Sequence, residues 1–363
     1  MKSGEGMNLV IYGAQGIALG AYEAVSEFSD RNIICFLVTE RCNNPASLMG
    51  VPVYELESFA KGLSDEDKGN IEVIIATPEN VMPEIEAGLE DYGLMNHVRM
   101  TSGRFAELIG YFHAFKKDFI PLSAMPAGTV KADVHAFMAK FYKDKVLNTQ
   151  YDMPEWLETI QVGAALCEER VSVTVDCDGD NISGKNVNYS ELTALYWIWK
   201  NKLNFNNGNE YYGLVHYRRI LDLSEDDLYR LKGNDIDVVL PYPMPYEPDI
   251  EEHHKRYLAA TDWNALIAAM KEIHPEYIEK MQEVLSGRYM YNYNIMIAKK
   301  NVLREYCEWL FPILERVEEL SEPKGWERKD RYIGYIGETM ATVYFMSNRD
   351  RLNIAHAGCR FLV

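Results

Sequence analysis

Short apolar runs alternate with amphipathic segments along the first third of the chain. NLVIYGAQGIALGAYEAV contains an apolar run, a glycine turn and a helical pattern, and NIICFLVTE and IEVIIATPE are further apolar runs with helical segments between them. Fully apolar runs that alternate with helices are typical of a parallel sheet covered on both faces. The pattern predicts an α/β domain with a doubly wound parallel sheet over residues 1–122.

The turn after the first predicted strand carries Gly13, Gly16 and Gly20, a spacing that departs from G-x-G-x-x-G. Glu40 ends the second apolar run, where dinucleotide-binding domains place an acidic ribose ligand. Two interpretations stay open: the glycines serve turn geometry and packing, or the turn holds a nucleotide or sugar-nucleotide. Residues 7–105 resemble the small Rossmann-like domains fused to enzymes of bacterial surface-glycan synthesis, through the GAQG turn and the later GVPV.

The stretch FIPLSAMPAGTV has two prolines and no periodicity, and it predicts a domain boundary after residue 122. In the second domain, residues 123–363, KADVHAFMAKFYKD suits either a strand or an amphipathic helix, and YMYNYNIMIAKK suits a strand. DIDVVLPYP predicts a strand that leads into a proline-rich loop, which we interpret as an active-site flap. RYIGYIGETMATVYFMSN predicts a helix broken by glycine. NVLREYCEWLFPILERVEEL predicts a long helix whose core face consists of Leu303, Tyr306, Leu310, Ile313 and Leu314.

The second domain is organised around residues 176–219, in which a polar loop, DCDGDNISGKN, precedes a helical pattern rich in aromatic residues. Asn188 and Glu191 have the spacing of a capping box, which predicts a helix that begins near Tyr189. The polar loop would then lie at a helix N-terminus, where free backbone N–H groups favour anions. The residues expected on the core face of this helix are Leu192, Leu195, Tyr196 and Trp199.

Charge and composition narrow the class of protein. The 363 residues carry 37 Lys and Arg against 55 Asp and Glu, a net charge of −18, which disfavours nonspecific binding to nucleic acid or anionic lipid. The six cysteines include no CxxC pair, the amino-terminal segment lacks an apolar signal core, and no apolar run approaches the ~20 residues that span a bilayer. We expect a globular cytoplasmic protein without a nucleic-acid partner.

Four segments resemble one known family: D-x-D-G-D-N-I-S-G-K-N-x-N-Y-x-E-L-T-A-L-Y-W-I-W-K-N, Y-x-G-L-V-H-Y-R-R, Y-N-x-M-I-A-K-K and E-Y-C-E-W-L-F-P-I-L. The family is known as domain of unknown function 4422, and the resemblance covers about residues 127–363. It implies a GT-A-type fold and a hexosyltransferase-like glycosyltransferase of bacterial capsular or exopolysaccharide synthesis. The implied partners are a nucleotide-sugar donor, with a UDP-sugar favoured, and a glycan or lipid-linked acceptor. Peripheral association with membrane enzymes at the inner face of the membrane would fit such an acceptor.

The resemblance also implies roles for particular residues. The loop expected to hold the donor nucleotide consists of Asp180, Asn181, Ser183, Lys185 and Asn186. The residues expected at the diphosphate are His216, Arg218 and Arg219. Those expected near the transferred sugar are Asn292 and Asn294, and His254 is expected to face the flap. Family members begin this domain with a strand that ends in His-Lys, for which the nearest counterpart here is Val134-His135.

The residues themselves favour the same chemistry in part. A sugar-nucleotide transferase must neutralise a departing diphosphate, either with a divalent metal or with basic side chains. Arg218 and Arg219 follow an apolar strand and favour an arginine clamp, so the role of a Mn or Mg ion stays open; the alternative for both arginines is a surface ion pair. Glu338 follows Gly334 and Gly337 and is a candidate general base, with an ordinary polar helix residue as the alternative.

Two acidic patterns are interpreted without a metal. The D-x-D-x-D run at 176–180 has Val187 where a calcium loop requires Glu, which excludes an EF-hand. His253 and His254 follow two glutamates at a predicted helix start, which we interpret as solvated, with one histidine turned toward the flap. Three hypotheses remain, in order: a glycosyltransferase, a non-catalytic nucleotide-sugar-binding protein of glycan assembly, and an NAD-dependent oxidoreductase.

Overall fold

The computed structural model describes residues 7–42, 44–147, 149–203 and 210–362. Two compact units divide the chain: one reaches Asp118 and includes Met244–Glu247, and the other comprises Phe119–Pro243 and Pro248–Leu362. Each unit is built on a sheet rich in parallel strands with helices packed against it, so the predicted α/β class is confirmed. The prediction that the amino-terminal segment lacks a signal core concerns, in part, residues 1–6, which lie outside the described residues.

The strands of the described residues are β1 Asn8–Tyr12, β2 Ile33–Val38, β3 Ser47–Leu48, β4 Val51–Glu55, β5 Ile71–Ile75, β6 His97–Arg99, β7 Asp133–Lys140, β8 Leu157–Gln161, β9 Thr174–Val175, β10 Glu210–His216, β11 Arg219–Leu221, β12 Val238–Pro241, β13 Met244–Pro245, β14 Tyr289–Met290, β15 Met296–Lys299, β16 Ile354–Ala357 and β17 Cys359–Phe361. The α-helices are α1 Gly16–Phe28, α2 Leu56–Lys61, α3 Asp65–Gly69, α4 Met82–Asp91, α5 Ser102–Lys116, α6 Asn186–Tyr189, α7 Leu192–Lys202, α8 Glu225–Gly233, α9 Ile250–His254, α10 Ala260–Ile273, α11 Ile278–Leu285, α12 Lys300–Leu320 and α13 Tyr332–Ser347.

The first unit has a six-stranded sheet in the order β3-β4-β2-β1-β5-β6, in which every pair is parallel except β3 with β4. The three glycines of its turn have structural reasons. Gly13 adopts φ +127°, and a Cβ there would lie 2.6 Å from the Ala76 carbonyl oxygen. A Cβ on Gly16 would meet Met244 at 2.9 Å, and one on Gly20 would meet Phe105 at 3.0 Å. Turn geometry and packing therefore suffice to explain the glycine turn.

The second unit has a sheet in the order β16-β12-β15-β10-β7-β8-β9, with β15 antiparallel to both of its neighbours. The segment that suited either strand or helix forms β7 at the centre of this sheet. The predicted strand over YMYNYNIMIAKK is instead two strands, because Tyr293 and Asn294 between β14 and β15 have φ of 75° and 50°. A left-handed pair of this kind interrupts a ladder.

The helix predicted from Tyr189 is broken at Ser190, which has φ 51° and separates α6 from α7. The capping box is wrong: the Asn188 amide donates to the Asp330 carbonyl at 2.9 Å, and Glu191 caps nothing with its side chain. Leu192 and Leu195 are buried as predicted. Tyr196 and Trp199 are half-buried, and both rings pack against Phe311, on which Trp199 stacks with ring centres 5.3 Å apart.

The long helix α12 confirms its predicted core face, since all five apolar residues are fully buried. Helix α13 runs unbroken through Gly334 and Gly337, so the predicted interruption is wrong. A Cβ on Gly337 would lie 2.6 Å from Leu192 Cδ1, and the glycine therefore permits close packing of α13 against α7. Within the part of the chain that the structure describes, no helix has the length and apolar character to cross a bilayer.

Candidate functional site

The carboxyl ends of the parallel strands in the second unit meet at one edge of the sheet. There β7 ends at Lys140, β8 at Gln161 and β10 at His216, and the segment of Asn292 and Asn294 enters β15 from the same edge. Open α/β sheets bind ligands in the crevice beyond the carboxyl ends of their strands. The candidate site therefore consists of the residues at this edge.

Asp176 holds the polar loop in place. Its fully buried carboxylate accepts hydrogen bonds from the backbone N–H groups of Gly163 at 2.8 Å and Ala164 at 3.0 Å, and from the hydroxyls of Ser183 at 2.5 Å and Thr193 at 2.6 Å. A carboxylate buried without water needs this degree of hydrogen bonding. Asp176 thus ties the end of β8, the loop and helix α7 together.

Three residues of the expected donor loop have their side chains engaged within the protein. Ser183 donates to Asp176, and its hydroxyl accepts from the Ala165 N–H at 3.0 Å. The Asn181 amide donates to the carbonyls of Cys177 and Gly179, both at 2.9 Å. Asn186 is buried and donates to the Ser190 carbonyl at 2.7 Å. These three side chains fix the shape of the loop.

The other two residues of that loop present charge at the surface. Asp180 is exposed and accepts a hydrogen bond from the Tyr196 hydroxyl at 3.2 Å. Lys185 forms an ion pair with Glu318 at 2.7 Å, and its ammonium lies 5.7 Å from the centre of the Tyr189 ring. The predicted loop therefore separates into a structural half and a charged half.

The His-Tyr-Arg-Arg segment forms the tight turn between β10 and β11, where His216 pairs with Arg219. Arg218 Nε donates to the Tyr217 hydroxyl at 2.5 Å, and the Arg219 guanidinium lies 4.2 Å over the Tyr293 ring. Within the described residues neither arginine forms an ion pair, so the surface ion pair is the wrong alternative. Two guanidinium groups are left with bonding capacity for an anion.

Asp144 adds an ionisable group to the same edge. Burial raises the pKa of its carboxyl, while the Phe141 N–H, which donates at 2.7 Å, and the charges of Arg218, His216 and Lys140 act in the opposite direction. The basic groups at the carboxyl ends of β7 and β10 therefore lie close enough to share one electrostatic environment.

Glu191 lies buried at the centre of the candidate site. Its Oε1 accepts from the Asn294 amide at 2.7 Å and lies 3.6 Å from His216 Nε2, and its Oε2 lies 3.4 Å from Arg331 Nη2. Burial opposes ionisation of this carboxyl, but His216, Arg331 and Asn294 outweigh it and lower the pKa of Glu191 to about 2. Glu191 is therefore a carboxylate at any physiological pH.

Glu338, on helix α13, is the second buried carboxyl of the site. Its Oε1 lies 3.9 Å from the Nη2 of Arg331. Burial first, and then the negative charge of Glu191, raise the pKa of Glu338 to about 7, against the opposing effect of Arg331. A carboxyl with a pKa near neutrality can take up and release a proton at working pH, as a general base must.

Asn294 and its neighbours are the remaining buried polar residues of the candidate site. The Asn294 amide nitrogen also donates to the Gly334 carbonyl at 3.3 Å, and its buried Oδ1 has no partner among the described residues. Asn292 is buried in the same segment. His216 Nε2 is likewise buried without a hydrogen bond in the described part of the chain. Buried polar atoms of this kind are rare in folded proteins and mark places where a ligand or water completes the bonding.

The two helix-start histidines lie in the protein interior, so the interpretation as a solvated start is wrong. His254 contacts the Thr339 hydroxyl at 2.9 Å and stacks on Trp263 at 6.0 Å. Burial lowers the pKa of His254 to about 4, and burial together with the neighbouring His254 lowers that of His253 to about 3. Both rings are therefore neutral, and their environment is that of packed core residues.

Val134-His135, the counterpart expected for the family's His-Lys pair, lies near the amino end of β7, and the strand ends at Ala139-Lys140. His135 lies near the amino end of β7, stacked on Tyr212 at 5.3 Å.

The described residues contain one cluster in which three His, Cys, Asp or Glu ligand atoms lie within 4.8 Å of one another: Asp133, His135 and Glu210. Asp133 and Glu210 begin β7 and β10, so the cluster lies at the opposite edge from His216. Asp222, near the end of β11, forms an ion pair with Arg360. Within the described part of the chain, the carboxylates at the carboxyl edge lie beside basic groups, and no such cluster of three ligand atoms is found there.

Four residues of this site had not been predicted: Lys140, Asp144, Glu191 and Arg331. Glu191 was interpreted as a cap because of its spacing from Asn188. Arg331 follows a run of charged residues, RKD, and no local pattern distinguishes it from them.

Comparisons with known proteins give the family of the chain and a fold similarity. The family model described as Domain of unknown function (DUF4422) matches residues 145–349, and the chain belongs to that family. The structure is similar to the apo structure of WbbM, a bifunctional glycosyltransferase, with a TM-score of 0.53 and 25% sequence identity. The similarity covers 63% of this chain and 45% of the WbbM chain, so this chain spans less than half of that protein's length. No curated protein matches the sequence. The chain is therefore similar in fold to part of a bifunctional glycosyltransferase.

Proposed function

We propose that the second unit is a GT-A-like glycosyltransferase that moves a sugar from a nucleotide-sugar, with a UDP-sugar favoured, to a glycan or lipid-linked acceptor of surface polysaccharide synthesis. The observation that carries the proposal is the pair of buried carboxyls, Glu191 and Glu338, held by Arg331 at the carboxyl edge of the sheet. Environments that push two carboxyl pKa values apart assign the acid and base roles of an active site.

In this mechanism Glu338 accepts the proton of the acceptor hydroxyl as that oxygen attacks the anomeric carbon of the donor sugar. Its pKa of about 7 suits a base that must lose its proton before each turnover. Glu191 stays ionised and orients Arg331, His216 and Asn294 around the sugar. The unpartnered Oδ1 of Asn294 is placed to accept a hydrogen bond from a sugar hydroxyl.

The leaving nucleoside diphosphate gains negative charge as the glycosidic bond breaks. Arg218 and Arg219 lack carboxylate partners in the described residues and can meet that charge at the end of β10. Preorganised cations stabilise a developing charge more than the ground state, because they need no rearrangement during the reaction. Asp180 and Lys185 of the polar loop are the proposed contacts to the nucleoside part of the donor.

The test measures donor binding and sugar transfer separately. Thermal-shift measurements with a panel of nucleotide-sugars, with and without Mn²⁺, identify the donor, since a ligand at 100 times its Kd adds about 2.7 kcal/mol of stability. Release of nucleoside diphosphate from that donor then reports turnover in the parent and in Glu338→Gln. Donor binding with no turnover in the parent, across a range of acceptor glycans, would favour a non-catalytic nucleotide-sugar-binding protein instead.

A further inference from the structure

A second groove lies beside the polar loop, with a volume of about 790 Å³. One wall is formed by Lys324–Lys329 and the other by residues 184–188 and the end of helix α12. The side chain of Trp326 is 82% exposed and lines this groove. A single exposed apolar residue is ordinary on a protein surface, so the surroundings of Trp326 decide whether it has a function.

The wall that carries Trp326 is held rigidly at both ends. At one end Arg328 makes two hydrogen bonds of 2.8 Å to the carboxylate of Asp262, which is fully buried, and its guanidinium lies 4.0 Å over the Tyr332 ring. At the other end Lys324 Nζ donates to the carbonyl of Glu319 at 2.7 Å. The indole is therefore presented on a fixed frame, which lowers the entropy lost when a ligand binds.

The lining of the groove ends close in sequence to a residue that contacts the buried carboxyls. The Asp330 carbonyl accepts from the amide of Asn188, a residue of the groove, and the next residue, Arg331, contacts both Glu191 and Glu338. Gly325 permits the close approach of the two walls, since a Cβ there would lie 2.9 Å from Asn188 Oδ1.

The charges of the groove select the chemistry of its ligand. The groove is lined by both signs of charge: the carboxylates are Glu315, Glu318 and Glu319, and the basic groups are Lys185, Lys324, Arg328 and Lys329. The carboxylates oppose a polyanion, the ammonium groups oppose a polycation, and a rim of charged groups is a poor match for an apolar peptide face. A neutral chain of hydroxyl groups can donate to the carboxylates, accept from the ammonium groups and place its C–H faces against the aromatic ring.

We propose that this groove is an extended acceptor subsite that binds a neutral oligosaccharide, with Trp326 as its stacking platform. The inference rests on the proposed transfer reaction and adds the class of acceptor: a preformed saccharide chain several sugars long, whose terminal hydroxyl reaches Glu338. A single sugar or a short alcohol would occupy the space beside Glu338 without reaching Trp326.

The test is binding of the full-length protein to an array of defined neutral and acidic bacterial oligosaccharides, followed by titration of the best glycan. We expect the parent to bind a neutral glycan, Trp326→Ala to lose about tenfold in affinity, and Trp326→Phe to keep most of it, because the aromatic face is retained. Phe115→Ala is the matched control, since Phe115 is an exposed aromatic residue of the first unit, 56% exposed. It should bind glycan as the parent does.

Two outcomes would overturn the acceptor subsite. One is the absence of any bound oligosaccharide on the array, and the other is equal affinity in the parent and Trp326→Ala. Donor binding, measured by thermal shift on the same samples, reports the proposed transferase separately: retained donor binding and turnover with unchanged glycan affinity in Trp326→Ala rejects the groove alone. Loss of donor binding in the parent would reject the transferase, whatever the glycan result.

Discussion

Glu191 and Glu338 share one guanidinium nitrogen: Arg331 Nη2 lies 3.4 Å from Glu191 Oε2 and 3.9 Å from Glu338 Oε1. One positive charge cannot fully compensate two carboxylates removed from water, so the two carboxyls differ in their pKa values. Glu191, which also contacts His216 and Asn294, keeps its negative charge, and Glu338 holds its proton up to a pH of about 7. This division turns two chemically identical side chains into an orienting group and a proton acceptor.

The first prediction concerns the pH dependence of transfer. If Glu338 must be ionised to act as base, kcat/KM should rise with pH and reach half of its plateau near pH 7, the pKa of Glu338. Glu338→Gln should lose about 10²-fold or more of kcat and show no such limb. A parental profile that stays flat between pH 5.5 and about 8 would assign the base to another group.

The same carboxyl makes a stability prediction of definite sign. The pKa of Glu338 is about 7 in the folded protein, raised from 4.5, so between those pH values the folded state holds a proton that the unfolded state has lost. The free energy of unfolding should therefore fall as pH rises through this interval and level off above it. Glu338→Gln should be more stable than the parent at pH 8, by on the order of 1–3 kcal/mol, and equal to it near pH 4.5.

Glu191→Gln is the matched comparison in the same denaturation experiment. In the parent the pKa of Glu191 is lowered to about 2, so the contribution of Glu191 to stability is present above the pKa of the unfolded state and is lost as pH falls. Replacement should therefore destabilise the protein at pH 8, opposite in sign to Glu338→Gln. The same sign for both variants would show that the two carboxyls are not divided as described.

The arginines of the turn after β10 give the next prediction. Lysine keeps the charge of Arg218 or Arg219 but loses the planar pair of donors, so at least one of Arg218→Lys and Arg219→Lys should lower turnover about 10²-fold with a much smaller change in donor affinity. Arg360→Lys is the control, because Arg360 is exposed and already paired with Asp222. Parental turnover in both turn variants would make these arginines structural.

Alternation of apolar runs and helices was enough to predict the α/β class and the long helix α12, because each depends on a local pattern that burial enforces. The break at Ser190 and the left-handed pair Tyr293-Asn294 carry no such pattern, and both were missed. Yet these two irregular points are the ones that turn Glu191 and Asn294 toward each other. Irregular backbone is where sequence rules fail, and functional sites concentrate there.

Contacts between residues far apart in the sequence set a second limit on what could be predicted. Glu191 contacts Arg331, 140 positions away in the chain, and no spacing rule connects the two. The resemblance to a family allowed His216, Arg219 and Asn294 to be predicted together, because the motifs of a family identify site residues even when they are far apart in the sequence. It could not say that Ser183 serves to support Asp176 while Lys185 stays at the surface, since that distinction depends on which side chains the folded loop buries.

The polar loop separates structural from binding residues in one experiment. Asp176→Asn removes the charge that accepts four hydrogen bonds in a buried site, and we expect it to destabilise the protein by about 2–4 kcal/mol. Asp180→Ala and Lys185→Ala should weaken donor binding while the free energy of unfolding changes by about 0.5 kcal/mol or less. Chemical denaturation and nucleotide-sugar titration measure the two effects. Unchanged donor affinity in both surface variants would remove the loop from the proposed site.

The position of the unit boundary predicts which amino-terminal deletion is tolerated. His356 N–H donates to the Ile120 carbonyl at 2.9 Å, the Phe119 ring lies 5.3 Å from that of His356, and Leu122 is buried in the second unit. A chain without residues 1–118 should therefore keep donor binding. A chain without residues 1–122, the boundary drawn from sequence, should lose about 2–4 kcal/mol of stability because it lacks these packed side chains. Equal stability of the two deletions would contradict the structural role of residues 119–122.

The two glycines of helix α13 provide the sharpest matched pair, because they differ by one turn of one helix. A Cβ on Gly334 would lie 3.5 Å from the Ser190 side chain and 3.7 Å from the Tyr189 carbonyl oxygen, both ordinary contacts, so Gly334→Ala should gain up to about 1 kcal/mol from helix propensity. A Cβ on Gly337 would lie 2.6 Å from Leu192 Cδ1 and 3.2 Å from Asn294 Oδ1. Gly337→Ala must therefore displace a buried leucine or the amide that holds Glu191.

We expect Gly337→Ala to lower the free energy of unfolding by about 1–3 kcal/mol, the cost of overpacking, despite the same gain in helix propensity. It should also lower kcat more than it raises the donor KM, since Asn294 and Glu191 act at the reacting sugar. Urea denaturation and steady-state kinetics on both alanine variants measure these effects. If Gly337→Ala is as stable and as active as Gly334→Ala, helix α13 does not press on Asn294, and the geometry proposed for Glu191 cannot depend on that contact.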